Sequence, residues 1–254
     1  MLTAVLDVLL PRPCVGCGTA GAPLCDACLA PLAAPASRTP VPRPAGLPAC
    51  WSAAWYEGPL RRAVIAYKER AQIGLAVPLA TLLAFTVVSA LAAGRPLAGP
   101  FAIVPVPSAR RALRSRGHDP MGVLAERAVH ALRRLGHPAV LCRALTPARR
   151  VADQAGLSAA ERAANLAGSL RVAAPPGRPL TAPSGPRPHG MVSALHDHGS
   201  DKFRTLGTPV VLVDDLVTTG ATLAEAARAL REWGADVVCA ATVAATRRRS
   251  GNAR

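Results

Sequence analysis

The chain has 254 residues, half of them hydrophobic, and a formal net charge of +15. This length allows one substantial buried core and a small appendage. Aromatic residues make up only 3% of the chain, which excludes an aromatic core and requires Ala, Val and Leu to fill it.

The positive charge has two explanations. Of the 30 basic residues only Lys68 and Lys202 are lysine, and the chain also contains 25 prolines. An excess of arginine, proline and alanine is typical of a GC-rich genome, and we favour this explanation. A functional surface for nucleic acid or another polyanion remains the alternative.

The N-terminal segment begins MLTAVLDVLLPRP. It is a poor match to a signal peptide, because Asp7 interrupts the short apolar run and no basic residue precedes that run. We therefore expect a cytoplasmic protein.

Two Cys-x-x-Cys motifs follow, separated by seven residues. Four thiolates at this spacing can surround Zn²⁺, so the predicted metal ligands are Cys14, Cys17, Cys25 and Cys28. An iron–sulfur site, a redox pair and disulfides are the alternatives, but the cysteine count is odd and no secretion signal is present. A segment as small as residues 1–32 cannot build its own core, so the metal would supply most of its folding free energy.

Residues 33–48 are rich in proline and small residues, which predicts a linker. Strands and helices alternate beyond it, and apolar strands bounded by helices indicate a parallel sheet covered on both faces. The predicted strands are Ser52–Tyr56, Phe101–Pro107, Ala139–Cys142, Val210–Val213 and Asp236–Thr242. The predicted helices are Pro59–Arg70, Ile73–Gly94, Met121–Leu135 and Leu223–Trp233, with Gly234 ending the last of them.

The second of these helices, Ile73–Gly94, carries no charge and is long enough to cross a bilayer. It also contains a proline, several hydroxyl residues and a helical stripe of leucines. We interpret it as a buried helix and expect no membrane span, with a membrane helix as the alternative.

Basic residues follow the strand that ends in Pro105-Val106-Pro107. A guanidinium pairs with phosphate oxygens in a bidentate way, so this strand end suits a pyrophosphate group. Lys68, on the first predicted helix, is a further candidate because lysine is rare in this chain. The candidate pyrophosphate-binding residues are Lys68, Pro107, Ser108, Arg110, Arg111 and Arg116.

Three polar residues, Gln154, Arg162 and Asn165, lie in the next segment, and we predict that it closes over a bound substrate as a hood loop. Residues 175–209 lack periodicity and are rich in Pro, Gly, Ser and His, which predicts a flexible excursion. Residues 247–254 form a basic tail.

The sequence from Val210 to Leu223 reads VVLVDDLVTTGATL, a buried strand followed by two acids, a Thr-rich turn and a helix. Unpaired N–H groups and the dipole at a helix N-terminus bind anions, which predicts a phosphate site at Thr218, Thr219, Gly220, Ala221 and Thr222. Asp214 and Asp215 would repel a phosphate, so hydroxyls or Mg²⁺ are their expected partners. A ribose 5-phosphate has both kinds of group.

This stretch resembles the ribose-phosphate loop of type I phosphoribosyltransferases, in which the paired acids hold the ribose hydroxyls of phosphoribosyl pyrophosphate (PRPP). The wider chain resembles the ComF family of competence-associated proteins. The shared features are the double Cys-x-x-Cys head, Tyr67-Lys68, the Pro-Val-Pro strand end, Arg116-Gly117, the spaced Gln154, Arg162 and Asn165, and the DDLVTTGAT loop.

The resemblance implies an α/β fold, a type I phosphoribosyltransferase-like parallel sheet at residues 49–246 with helices on both faces and a small N-terminal zinc-binding segment of four cysteines. It also implies transfer of ribose 5-phosphate to a nitrogen acceptor with Mg²⁺ and with release of pyrophosphate, in which Asp214 and Asp215 are the catalytic residues. The alternative is a non-catalytic protein that senses PRPP or binds single-stranded DNA and DNA-uptake proteins. The sequence leaves the acceptor open, and it does not distinguish a monomer from a homodimer.

Overall fold

A computed structural model describes residues 13–97, 99–108, 119–149, 159–173 and 208–247. These residues form a mixed α/β fold around one six-stranded sheet with the order β1-β2-β8-β7-β3-β4. All neighbours are parallel except β1, which pairs antiparallel with β2 at one edge. The fold class predicted from the sequence is confirmed.

The last two strands of this sheet, β7 and β8, are longer than the other four. The six strands are β1 (Ala36–Ser37), β2 (Cys50–Trp55), β3 (Phe101–Pro105), β4 (Ala139–Leu141), β7 (Pro209–Val217) and β8 (Asp236–Ala245). A separate antiparallel hairpin consists of β5 (Leu145–Pro147) and β6 (Leu170–Val172).

Helices cover both faces of the sheet, so each face has its own apolar core. One core contains the inward faces of α2 (Gly58–Glu69), α3 (Ala76–Ala93) and α4 (Pro120–Arg134). The other contains α6 (Ala221–Glu232) and the β5–β6 hairpin. Ala, Val and Leu dominate both cores, as the low aromatic content predicts. Two further helices are α1 (Asp26–Leu29) and α5 (Ala159–Leu166).

Helix α3 with its preceding turn, Ile73–Ala93, is long and apolar enough to cross a membrane by length and composition. Most of it is buried between α4 and the strands β2 and β8. It is therefore a core helix of this fold, which agrees with the interpretation from its leucine stripe.

The C-terminal end of α6 has the predicted glycine. Gly234 has a φ of 88°, and the N–H groups of Gly234 and Ala235 donate to the carbonyls of Arg231 and Leu230 at 2.9 and 3.0 Å. These bonds satisfy carbonyls that the end of a helix leaves unpaired.

The Pro-rich segment at 33–48 packs against the sheet. It contains β1, and Leu47 within it is 2% exposed and belongs to the core on the α6 face. The predicted excursion at 175–209 lies outside the described residues except for its last two, Thr208 and Pro209, the second of which begins β7.

The described part of the cysteine segment docks on α2. Cys14, Leu24 and Leu32 are buried in the same apolar core as Leu60. The guanidinium of Arg62 donates to the carbonyls of Val15 and Gly16, at 2.8 and 2.7 Å. The segment thus shares a core with the sheet domain.

Candidate functional site

The carboxyl ends of the parallel strands meet at one edge of the sheet, and this edge carries the two adjacent acids. The sequence predicted that the strand ends at Val213, and this was wrong. The β7–β8 ladder continues through Asp214, paired with Thr242, to Val217, paired with Ala245. The acids looked like a strand end because charges are rare in buried strands. Here the ladder holds both backbones rigidly.

Asp215 forms an ion pair with Lys68, whose Nζ lies 2.5 Å from Oδ2. Asp215 is 8% exposed, whereas the Lys68 side chain is 32% exposed, so the carboxylate is shielded from solvent and the ammonium group is partly open to it. Lys68 is placed by its neighbour Tyr67, which is buried and donates from its hydroxyl to the carbonyl of Pro120 at 2.9 Å. The contact between Lys68 and the acidic pair brings together two motifs that the sequence analysis had identified separately.

Asp214 is half-buried, and its Oδ1 accepts a hydrogen bond of 2.8 Å from the N–H of Asp215. Burial and the neighbouring Asp215 carboxylate raise the pKa of Asp214 well above its usual range, although Lys68 opposes this shift. A cation or hydroxyl donors bound at this edge would favour the ionised form of Asp214. The acidic pair is therefore complementary to a ligand that carries positive charge or hydroxyl groups.

The turn at Thr218–Gly220 joins β7 directly to α6. Gly220 precedes the helix with a φ of 77° in the left-handed region, and Thr219 Oγ1 accepts from the N–H of Ala221 at 3.4 Å. A Cβ at Gly220 would lie 2.8 Å from Leu47 Cδ2, so the turn passes close beneath the Pro-rich segment. The amino end of α6 thus begins beside the acids, where its N–H groups can bind an anion.

The strand end predicted to bind pyrophosphate lies at the same edge, because the N–H of Val106 donates to the carbonyl of Val213 at 2.9 Å. Pro107 and Ser108 follow directly, and the Ser108 hydroxyl lies 3.3 Å from Asp119 Oδ1. All three arginines predicted for this site, Arg110, Arg111 and Arg116, lie outside the described residues.

The predicted hood residues are partly described. Arg162 and Asn165 lie on α5, and Arg162 lines a cavity with Thr218 and Thr219. Gln154 lies outside the described residues. Arg149 donates to the carbonyl of Asn165 at 2.7 Å and thereby fixes the end of α5.

A buried acid on α6 attaches the β5–β6 hairpin to this helix, and sequence reasoning missed it. Glu225 is 6% exposed, and its Oε1 accepts from the N–H of Leu170 at 3.0 Å. Arg228 donates to both Glu225 oxygens and to the carbonyl of Leu170. The only signal in the sequence was the i,i+3 spacing of this acid and base, which is common on exposed helix faces.

The four predicted metal ligands converge. The sulfur atoms of Cys14, Cys17, Cys25 and Cys28 lie within 4.8 Å of one another. Zn–S bonds of about 2.3 Å in a tetrahedron place sulfurs about 3.8 Å apart, so the cluster fits Zn²⁺.

The backbone supports a thiolate at one of these cysteines, Cys14. The N–H groups of Gly16 and Cys25 both point at Cys14 Sγ from 3.3 Å. Burial would raise the pKa of Cys14, but these donors outweigh it and lower the pKa to about 6. A Cβ at Gly16 would lie 2.6 Å from Cys28 Sγ, so only glycine fits inside the loop.

Comparison with known proteins identifies a family for the second half of the chain. The family model described as the phosphoribosyl transferase domain matches residues 139–254, which include the acidic pair, the turn and α6. No curated protein matches the chain. The chain therefore carries a phosphoribosyltransferase-like domain, and the sheet extends that domain to β2 and β3, which precede the matched region.

Proposed function

We propose that the protein binds PRPP at the carboxyl edge of its sheet and transfers ribose 5-phosphate to a nitrogen acceptor, releasing pyrophosphate. The observation that carries this proposal is the direct succession of the acidic pair, the left-handed glycine and the amino end of α6. A sugar phosphate carries hydroxyls and a phosphate in one molecule, and the succession lies within the matched phosphoribosyl transferase segment.

The 5-phosphate is assigned to the N–H and hydroxyl groups of residues 218–222, because a helix N-terminus accepts an anion with little reorganisation. Asp214 and Asp215 are assigned to the ribose hydroxyls. These carboxylates together with the diphosphate would hold Mg²⁺, which would neutralise charge on the diphosphate. The donor set fits this ion, since carboxylate oxygens are its preferred protein ligands.

The pyrophosphate is assigned to the end of β3 and to Lys68. Pro107, Ser108, Arg110, Arg111 and Arg116 follow this strand in the sequence. Lys68 compensates the charge of Asp215 in the described structure, and its ammonium lies at the edge where the leaving group would depart. Gln154, Arg162 and Asn165 are assigned to a hood over the bound sugar.

Catalysis in this proposal depends on position and charge. The C1–O bond of the ribose breaks as pyrophosphate leaves, an oxocarbenium-like centre forms, and the nitrogen of the acceptor bonds to C1. The rigid β7–β8 ladder keeps the acids in place during this step, and cations near the strand end stabilise the departing diphosphate.

The cysteine cluster has a structural role in this proposal. Zn²⁺ bound by its four thiolates would order the segment that Arg62 attaches to α2. Lys68 lies on the same helix, so the metal would help to position Lys68 beside Asp215. The motifs shared with the ComF family support a place in that family, with a role in competence and DNA uptake and a cytoplasmic location.

A pyrophosphate-release assay with PRPP and Mg²⁺ tests the activity across purines, pyrimidines and small amines. The control is the Asp214→Asn/Asp215→Asn variant, which keeps the shape of the edge and removes its charge. Turnover by the wild-type protein that is absent from this variant supports transferase activity. Tight PRPP binding without turnover for any acceptor indicates a sensor, and absence of PRPP binding contradicts the proposal.

A further inference from the structure

One side of α3 is left uncovered by the described part of the chain. Ile73 in the preceding turn, Val77 and Phe85 are 61%, 55% and 44% exposed, and the exposed Thr81 lies between the last two. Residues four apart lie on one face of a helix, so Val77, Thr81 and Phe85 form a ridge. The sequence has no charge from Ile73 to Gly94, so this ridge is uncharged and mostly apolar.

A groove of about 770 Å³ lies between this ridge and α4. Its apolar lining comes from both helices and from the edge strand β4, and consists of Val77, Ala80, Val123, Val129, Ala131 and Leu141. Two helices with apolar side chains between them form the kind of groove that binds a third, amphipathic helix. The groove is concave, so a flat lipid bilayer would leave it unfilled.

The α4 wall of the groove is basic. Arg127, His130, Arg133 and Arg134 line it, and all four are exposed. Arg127, His130 and Arg134 follow one another at spacings of three and four residues, so they lie on one face of α4. Arg133 donates to the carbonyl of Ala139 at 2.8 Å. Within the ranges that the structure describes, no carboxylate forms an ion pair with any of these four side chains.

One acid among the described residues, Glu126, also lines the groove. It lies 3.7 Å from Arg143 and is 70% exposed, so it offsets little of the positive charge on α4. An occupant that carries carboxylates would complement the remaining charge. A second copy of this chain does not meet this requirement, because each copy has a formal net charge of +15 and like net charges oppose association.

We propose that this groove binds an amphipathic helix of a partner protein, with an apolar stripe against Val77 and Ala80 and acidic residues beside the arginines of α4. Arg127 and Arg134 are seven residues apart, which is about 10.5 Å along a helix axis. A matching helix therefore has two acids seven residues apart on one flank of its apolar stripe. The residues that line the groove are distinct from those assigned to PRPP, so this surface goes beyond the proposed transfer reaction.

A designed peptide tests the groove directly. The probe is a fluorescein-labelled helix of about 18 residues, long enough to be helical in water, with leucines on one face and two glutamates seven residues apart on one flank. Its control has the same composition, but one glutamate is moved to the opposite flank. Fluorescence anisotropy with the full-length protein should show saturable binding of the probe that weakens as the salt concentration rises. The control peptide should bind about tenfold more weakly or worse, because it loses a charge-assisted contact.

Two protein variants identify the walls. Arg127→Gln/Arg134→Gln should weaken binding of the probe about tenfold or more, whereas Arg61→Gln/Arg171→Gln, which removes the same charge from exposed positions outside the groove, should not change it. Val77→Ser should weaken binding severalfold by removing apolar contact, and its control is Val41→Ser at another exposed valine. Thermal melting followed by circular dichroism checks that each variant is folded.

The inference is overturned if the probe does not bind saturably, if both peptides bind equally well, or if the two arginine double variants have equal affinities. Two other occupants are tested in parallel. Binding to vesicles of equal parts phosphatidylglycerol and phosphatidylcholine that is lost in Arg127→Gln/Arg134→Gln would assign the surface to a membrane instead. A dimer in sedimentation velocity that Val77→Ser dissociates would assign it to a second copy of the chain.

Discussion

Replacing Gly220 with alanine should destabilise the protein through two separate effects. The φ of 77° costs a residue with a Cβ about 1–2 kcal/mol. The new Cβ would also lie 2.8 Å from Leu47 Cδ2 and 3.3 Å from Pro40 Cγ, and overpacking at a buried contact costs about 1–3 kcal/mol. We therefore expect the free energy of unfolding to fall by about 2–5 kcal/mol.

Gly136→Ala is the matched control. Gly136 has a similar φ of 83°, but nothing lies within 4 Å of its Cβ position, so this variant should show the backbone cost of about 1–2 kcal/mol alone. Urea denaturation measures both variants. Leu47→Ala removes the clashing methyl groups, so the Leu47→Ala/Gly220→Ala double variant should lose less stability than the sum of the losses in the two single variants. Equal losses of unfolding free energy in Gly220→Ala and Gly136→Ala would refute the packing of the Pro-rich segment on the turn. Strict additivity of the losses from Gly220→Ala and Leu47→Ala would refute it as well.

Three further predictions concern the other parts of the site. Asp214→Asn/Asp215→Asn should weaken PRPP binding by about 2–4 kcal/mol in calorimetry, because charge-assisted contacts are lost; an unchanged affinity in the folded variant would contradict the assignment. Cys25→Ser or strong chelation should release zinc and unfold the cysteine segment. It should also lower the melting temperature of the sheet, because Cys14 and Leu24 share a core with Leu60. Less than about half an equivalent of zinc in protein purified without chelator would count against this prediction. Burial alone would raise the pKa of Glu225, but Arg228 and the N–H of Leu170 outweigh burial and lower that pKa. The stabilisation of the folded protein by the ionised Glu225 is therefore complete above the unfolded pKa, and it is lost as the pH falls through the lower folded pKa. Glu225→Gln should therefore lower the free energy of unfolding by about 2–4 kcal/mol at neutral pH, and this difference from wild type should disappear below about pH 4. A difference that does not change with pH would show that the charge of Glu225 is not involved.

Periodicity was sufficient to predict the sheet and most helices. The leucine stripe of α3 and the apolar strands β3, β7 and β8 carry strong signals, because burial dictates their composition. The continuation of β7 through Asp214 and Asp215 could not be predicted in this way. That continuation depends on pairing with β8, a partner that local composition does not reveal.

The site was partly predictable for a similar reason. The turn at 218–222 and the four cysteines are compact motifs whose chemistry follows from spacing. The pairing of Lys68 with Asp215 and the packing of Leu47 on Gly220 join residues far apart in the chain. Leu47 stands in a Pro-rich segment, where composition indicates a linker and gives no sign that one side chain is buried.

The strand order determines how the chain can be divided into two fragments. β7 lies between β8 and β3, and β8 lies between β2 and β7, so each long strand has one neighbour from the first half of the chain. A fragment that begins at residue 139 would expose an unpaired backbone edge on both strands, and such edges promote aggregation. A split-protein pair, by contrast, should reassemble from its two halves, because each half supplies the missing edges of the other.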